Sequence, residues 1–370
     1  MATPVNHPPN RPDHDLDRRD APRPDAIPPV VVAGGGIVGT AVAFALQGSV
    51  PVLLVEEGDF PGLAETREAV GILKAVLGHP VLDDYARATW DFALAQHHHP
   101  RSPVRLTFAG LDGRPGRAAF LDPLLLLDAM LLLARRAGLQ LRTRTRVVEP
   151  VLDGGRVTGV RLERVGDGPG TASRRGSGGS HGSHRTAPET AGATGTGKII
   201  AASALVLAPG PRPDSLAMPG LPGGFAGRFV RVKDVVIPFL LPPGTEPEPE
   251  VYTRRSLIWR FATGMQPRTL LAAARLEGDW APPSFDQVVA LVEDLVHRFG
   301  LPGEAQLDRT RLLVDLRGPG GLPFAGPVAP LGGAEGIFVA AGMGLEGLSL
   351  ALGVGRQVAA AVMHYLRAHR

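Results

Sequence analysis

Gly34, Gly36 and Gly39, spaced as Gly-x-Gly-x-x-Gly, and the acid Glu56 twenty residues after Gly36 are the residue types that hold a dinucleotide. A glycine at 34 makes a tight turn, and one at 36 lets the backbone approach a pyrophosphate. A third at 39 lets a helix lie close to a strand. The free N–H groups at the helix start, around Ile37 and Val38, are placed to hold phosphate charge. Glu56, followed by Glu57, is positioned to accept hydrogen bonds from an adenosine ribose. The alternative is a βαβ unit that is merely structural, and the pattern does not say which dinucleotide is held. Elsewhere, His97–His99 has the residue type of a metal site, but adjacent residues point in different directions and no carboxylate partner is evident. A solvated loop is expected there. No Ser/His/Asp arrangement stands out.

The elements that must position these residues follow from hydrophobic pattern and punctuation. A β-branched run, Val30–Val32, enters the glycines; a small-residue helix spans Thr40–Gln47, and a second apolar strand, Val52–Val55, ends at Glu56. Residues 57–61 read as a turn, and residues 64–73 mix polar and small types without a period. Helical patterning returns over 80–96, followed by a short extended piece at 104–108. Asp122 as N-cap and Pro123 at the first helical position start an apolar helix through Arg136, closed by Gly138. Strands are expected over 139–148 and 156–164, joined by the turn Asp153-Gly154-Gly155. A strand at 204–207 runs into Ala208-Pro209-Gly210. Antiparallel strands follow at 229–240, 250–261 and 268–276, then a helix at 284–299 and a strand at 311–316. The chain closes with strand 337–341, the glycine loop Gly342–Gly347 and a long helix to about Arg367.

This order predicts an α/β protein with two interleaved domains. Segments 28–78, 121–220 and 311–370 form a Rossmann-type nucleotide domain; segments 79–120 and 221–310 form an α+β substrate domain with an antiparallel sheet. Residues 1–27 are expected to be a disordered tail rather than a signal peptide, since the first 29 residues hold eight prolines and nine charges of both signs. Residues 166–197, with ten glycines among Ser, Thr and His, are expected to be a disordered insert, because burial cannot offset their ordering entropy. No internal repeat is visible.

With 370 residues, 44% hydrophobic and a net charge of +3, the chain has the make-up of a globular protein with a full core. The pI near 9.6 invites a nucleic-acid reading, which composition opposes. Lysine occurs only at 74, 198 and 233, so the basicity is almost all arginine, and aromatics amount to 5% with no basic run interleaved by stacking rings. The uncharged stretch 27–55 is long enough to span a membrane, but its glycines, prolines and βαβ pattern point to a buried unit. No integral membrane segment is expected, and the chain is expected to be cytoplasmic. The absence of cysteine excludes disulfides, thiolate metal sites and cysteine nucleophiles.

Taken together, these motifs resemble the D-amino acid oxidase family of FAD-dependent amine and amino-acid oxidoreductases, from Val30 to Ala360. The resemblance rests on the glycine fingerprint with Glu56, and on Leu121-Asp122-Pro123 opening a helix that ends Ala137-Gly138-Leu139-Gln140-Leu141-Arg142. It rests further on Leu207-Ala208-Pro209-Gly210, on Arg317 ahead of Gly321-Leu322-Pro323-Phe324-Ala325-Gly326-Pro327, and on the closing segment Gly342 to Leu352. Tyr252 and Arg254, with Glu277-Gly278-Asp279-Trp280, are most similar to glycine oxidases. The closing loop is equally similar to the flavin subunits of proline or opine dehydrogenases.

The resemblance implies FAD rather than NAD, and without cysteine the flavin has no thioether tether. It implies that Thr66, Arg67, Gly71 and Ile72 line the pyrophosphate and flavin, and that Val147 offers backbone groups to adenine. Ala208, Pro209 and Gly210 would border the nucleotide. Gly342, Gly344, Leu345, Glu346, Gly347 and Leu348 would face the flavin ring, where the helix dipole favours the negative charge of reduced flavin by about 0.3–1 kcal/mol. The implied reaction passes the α-hydrogen of a neutral amine as hydride to flavin N5 and gives an imine. Its substrate is a small amine or amino acid of glycine, sarcosine, proline or D-amino acid type, and oxygen or a protein electron carrier takes the electrons. Arg317 matches the carboxylate-binding position, and Tyr252 and Arg254 lie on a strand expected to cover the flavin. Two departures are visible: Gly318-Pro319-Gly320-Gly321 is shorter than the usual connection, and Leu345 stands where a second basic residue is common. With acidic Glu346 beside it, this favours a substrate with an extra positive charge or no carboxylate. A flavin subunit relaying electrons in a hetero-oligomer, a member acting on a hydroxy acid or biosynthetic intermediate, and a non-catalytic binding module are the alternatives; homo- or hetero-oligomers are both compatible.

Overall fold

A computed structural model of the chain describes residues 27–166, 197–240, 242, 250–252, 257–261, 269–276, 284–299, 306–307 and 311–369. The tail expected at residues 1–27 therefore lies outside the described residues up to 26, as does the insert over 167–196.

In chain order the first elements are β1 (Val30–Ala33), α1 (Ile37–Leu46), β2 (Val52–Val55), α2 (Glu65–Glu68), β3 (Ile72–Lys74) and α3 (Pro80–His98). Next come β4 (Thr107–Leu111), β5 (Arg114–Phe120), α4 (Pro123–Arg136), β6 (Gln140–Arg142), β7 (Thr145–Asp153), β8 (Arg156–Arg164), β9 (Lys198–Ala201) and β10 (Ala204–Leu207). The remainder is β11 (Val230–Leu240), β12 (Glu250–Tyr252), β13 (Leu257–Phe261), β14 (Thr269–Leu276), α5 (Phe285–Phe299), β15 (Gln306–Leu307), β16 (Arg311–Arg317), β17 (Phe324–Pro327), β18 (Ile337–Ala341) and α6 (Gly347–Ala368).

The six-stranded sheet runs β17-β18-β10-β1-β2-β6, and every neighbouring pair is parallel except β17 with β18. Its strands are short apolar runs because both faces are covered. Val30, Val32, Val52, Leu54 and Val206 point toward α1, α4 and α6, while Val31, Leu53, Val55, Leu205 and Leu207 join Val157, Val160 and Leu162 of β8 on the other face. Alternation along each strand sends successive side chains to opposite layers. The small residues of α1 serve a second purpose: a Cβ on Gly355 of α6 would stand 2.7 Å from the Ala41 carbonyl carbon, so the two helix backbones touch. Chain order reverses between β1 and β10, and such a switch point opens a crevice at the carboxyl ends of the strands.

A nine-stranded sheet, largely antiparallel, follows the order β15-β11-β14-β13-β12-β4-β5-β3, with β16 pairing β11. The third sheet is β7-β8-β9. The α/β class with separate antiparallel sheets agrees with the sequence. β3 and β16, grouped in the sequence with the nucleotide segments, pair within the nine-stranded sheet instead. The single strand expected over 139–148 is split. Arg144 takes φ 50° and donates its N–H to the Gly58 carbonyl, which turns the chain out of the six-stranded sheet and into β7. The extended piece at 104–108 proves to begin a hairpin, β4–β5, whose turn residues Asp112 and Gly113 both have positive φ. His97 and His98 end α3 rather than forming a loop, and His97 Nδ1 accepts from the Leu106 N–H at 3.2 Å. Among the described residues no group of His, Asp and Glu has the arrangement to hold a metal ion, and no helix is long and apolar enough to cross a membrane.

The α4 start matches the sequence: Asp122 Oδ1 accepts from the Leu124 N–H at 2.8 Å, with Pro123 at the first helical position. Asp122→Ala is expected to lower stability by about 1 kcal/mol through loss of that cap, read as a lower Tm with unchanged secondary structure.

Candidate functional site

The turn between β1 and α1 is closed by close approaches that only glycine permits. A Cβ on Gly34, whose φ is +107°, would overlap the Ala208 carbonyl oxygen; one on Gly39 would overlap the Gly34 carbonyl oxygen. The carbonyl ends of β1 and β10 and the start of α1 are thereby drawn to one point. Gly36 occupies the N-cap and brings no side chain of its own to the helix start. Thr66 Oγ1 accepts from the Ile37 N–H at 3.0 Å, tying α2 to that same helix end. Glu56 accepts twice: Oε2 from the Gly35 N–H at 2.7 Å and Oε1 from the Gly58 N–H at 2.6 Å. A carboxylate has about four acceptor positions, so capacity for further donors remains.

Two cavities meet at this helix start, sharing Gly36, Thr66, Ala208 and Gly210. One, of about 500 Å³, is bounded by Gly34, Glu56, Glu57, Val147 and Pro209. The other, of about 420 Å³, is bounded by Ile37, Val38 and Gly39 on one side and by Gly71 and Ile72 on another. Its far wall is Gly344, Leu345, Glu346, Gly347 and Leu348, the loop and first turn of α6. Two glycine loops about 300 residues apart in sequence thus border one crevice.

Some expected residues lie elsewhere. Arg67 is exposed and borders neither cavity. Gly342 borders neither; it buttresses the loop from behind, where a Cβ would come within 2.6 Å of the Gly318 nitrogen. Arg317 ends β16, bridges to Met343, and brings its Nε to 3.9 Å from the point a Cβ of Gly344 would occupy, although it is not part of the cavity lining. Tyr252 pairs Ile258 at the end of β12, whereas Arg254 lies outside the described residues.

Several lining residues have no counterpart in the motif-based reading. Lys74, 5% exposed, lies in the second cavity with its ammonium 2.5 Å from Glu346 Oε1. Glu346 is therefore paired within the protein, which removes the basis for reading it as a partner for an extra substrate charge. The signal for Lys74 was a lone lysine in the apolar run Val70–Leu77. Asp315 of β16 lines the same cavity. Arg212, also outside that reading, forms an exposed ion pair at the edge of the first cavity with Glu57, which the reading did include.

The crevice has the features a dinucleotide requires: a glycine cradle, a helix start with glycine at its N-cap and an acid at one end. Its extension past the helix start to the second glycine loop suits a further ring system.

The model of the FAD dependent oxidoreductase family matches residues 113–361. No curated protein matches the chain. Among solved structures, glycine oxidase from Bacillus cereus superposes with a TM-score of 0.64 at 14% identity, covering 92% of this chain and 98% of that one. L-proline dehydrogenase from P. horikoshii gives 0.65 at 14% identity, over 92% and 94%. Iminodiacetate oxidase from Chelativorans sp. gives 0.62 at 17% identity, over 90% and 95%. At these identities the structures speak for the fold, and the family model speaks for the cofactor. The chain belongs to the D-amino acid oxidase family of FAD-dependent oxidoreductases.

Proposed function

We propose that this oxidoreductase oxidises the C–N bond of a small amine or amino acid. The observation that carries the reading is the convergence of the Gly34–Gly39 turn and the Gly344–Leu348 loop on one crevice. Glu56 would receive the adenosine ribose, with Glu57 and Val147 beside the adenine. The start of α1 and Thr66 would face the pyrophosphate, while Gly71, Ile72 and the start of α6 would border the ring. When bound, FAD supplies a two-electron acceptor for the substrate's α-hydrogen. The protein's share is orientation: holding the C–H bond over the ring and exclusion of water from the pocket. Arg317, whose planar fork suits a carboxylate, would hold the acid end of an amino-acid substrate. Tyr252, and Arg254 after it, would close the pocket. The six-stranded sheet with its helices would be the FAD-binding domain and the nine-stranded sheet the substrate domain.

Purified protein is expected to be yellow and to release free FAD on heating or acidification. Anaerobic bleaching by a panel of glycine, sarcosine, proline and D-amino acids identifies the substrate, and peroxide formation in air separates oxygen from a protein carrier as acceptor. A colourless protein that takes up no added FAD would remove the reading. Glu56→Gln tests the ribose contact separately. It replaces a charged double acceptor and should raise the FAD dissociation constant by about 10- to 100-fold, measured by flavin fluorescence.

A further inference from the structure

One charged side chain in the crevice, Lys74, has no part in the roles assigned above. It ends β3 and is 5% exposed. Its ammonium meets Glu346 Oε1, and its backbone N–H donates to Ser349 Oγ at 3.1 Å in a buried bond. Both partners stand at the start of α6, Glu346 as the N-cap residue and Ser349 in the first turn. One residue of the nine-stranded sheet thus holds the helix end that borders the cavity.

The electrostatics of that end are unusual. The N-terminus of a helix carries a partial positive charge that favours a nearby anion. Glu346 sits on it with a full negative charge and, left alone, would cancel it toward the cavity. Burying a lysine without a counter-charge is unfavourable. Lys74 therefore requires Glu346, and the pair as a whole adds no net charge to the helix end.

We propose that Lys74 is a positioning and charge-neutralising residue. By pairing with Glu346 it keeps the start of α6 positive toward the cavity, and thereby makes a flavin lying there easier to reduce. The proposal rests on the reading that FAD's ring occupies this cavity.

The test is the midpoint potential of the FAD-loaded full chain, measured by equilibration with a reference dye. Lys74→Met leaves Glu346 unopposed and is expected to lower the potential by about 30 mV or more, a tenfold change in a two-electron equilibrium. Glu346→Gln leaves the ammonium unopposed and should raise it. Lys74→Arg, and the double variant Lys74→Met/Glu346→Leu, should stay close to the wild type. A purely structural tie would move both single variants in the same direction, and that result, or no movement in either, overturns the proposal. If Glu346→Gln, which leaves the buried ammonium unopposed, does not fold, Lys74→Met decides alone, because the carboxylate it leaves is 27% exposed and stands at a helix N-terminus. A wild-type chain without FAD uptake would sink both readings; FAD uptake with an unmoved potential in Lys74→Met sinks only this one.

Discussion

Gly39→Ala is expected to leave the protein without bound FAD and with a Tm about 4 °C lower or more, corresponding to at least about 3 kcal/mol. The added methyl would overlap the Gly34 carbonyl oxygen and stand 3.0 Å from its carbon. Both obstacles are backbone, so no side-chain rotation relieves them. Either α1 withdraws from β1 or the Gly34 turn opens, and either movement disturbs the point where both cavities meet. Gly223→Ala is the control: its added methyl meets nothing within 4 Å, and both FAD content and Tm should hold. Measuring flavin absorbance per protein alongside thermal unfolding checks the pair. A Gly39→Ala protein with normal Tm and full flavin would show that α1 and β1 can separate without consequence.

Arg317→Met is expected to raise the Michaelis constant for a carboxylate-bearing substrate about 100-fold, with kcat changed far less. Removing a bidentate, charge-assisted pair of hydrogen bonds from a partly buried site costs on the order of 2–5 kcal/mol. Arg317 ends β16 and bridges to Met343, so its guanidinium base is fixed beside the α6 loop. Its Nε lies 3.9 Å from the point a Cβ of Gly344 would occupy, and Gly344 lines the second cavity. Steady-state kinetics on the amino acid that bleaches the enzyme, with a matched amine lacking the carboxylate as reference, gives the comparison. An equal effect on both substrates, or none, would take Arg317 out of substrate binding.

What was legible in the sequence was whatever local rules enforce. Turn geometry demands glycine at 34, and close helix packing demands it at 39. The Asp122–Pro123 start of α4 is written in two adjacent residues. The Asp112–Gly113 turn is equally local, yet the sequence pattern marks only an extended piece at 104–108, and the β4–β5 hairpin came from the structure. By contrast β3 has three residues and no period, and it exists because β5 supplies its hydrogen bonds. The break at Arg144 is similarly invisible, since the Gly58 carbonyl that holds it lies 86 residues earlier.

The sequence by itself determined the nucleotide turn, its acid, the absence of any cysteine thioether to a flavin, and the closing glycine loop before a long helix. Only the tertiary structure decided that Lys74 meets Glu346, that Arg67 is exposed and that Arg317 adjoins the loop without lining the cavity. The difference is physical: dihedral and capping requirements act between neighbours in the chain. A charge pair instead depends on where two sheets and a helix come to rest, which the core sets and no short stretch of residues records.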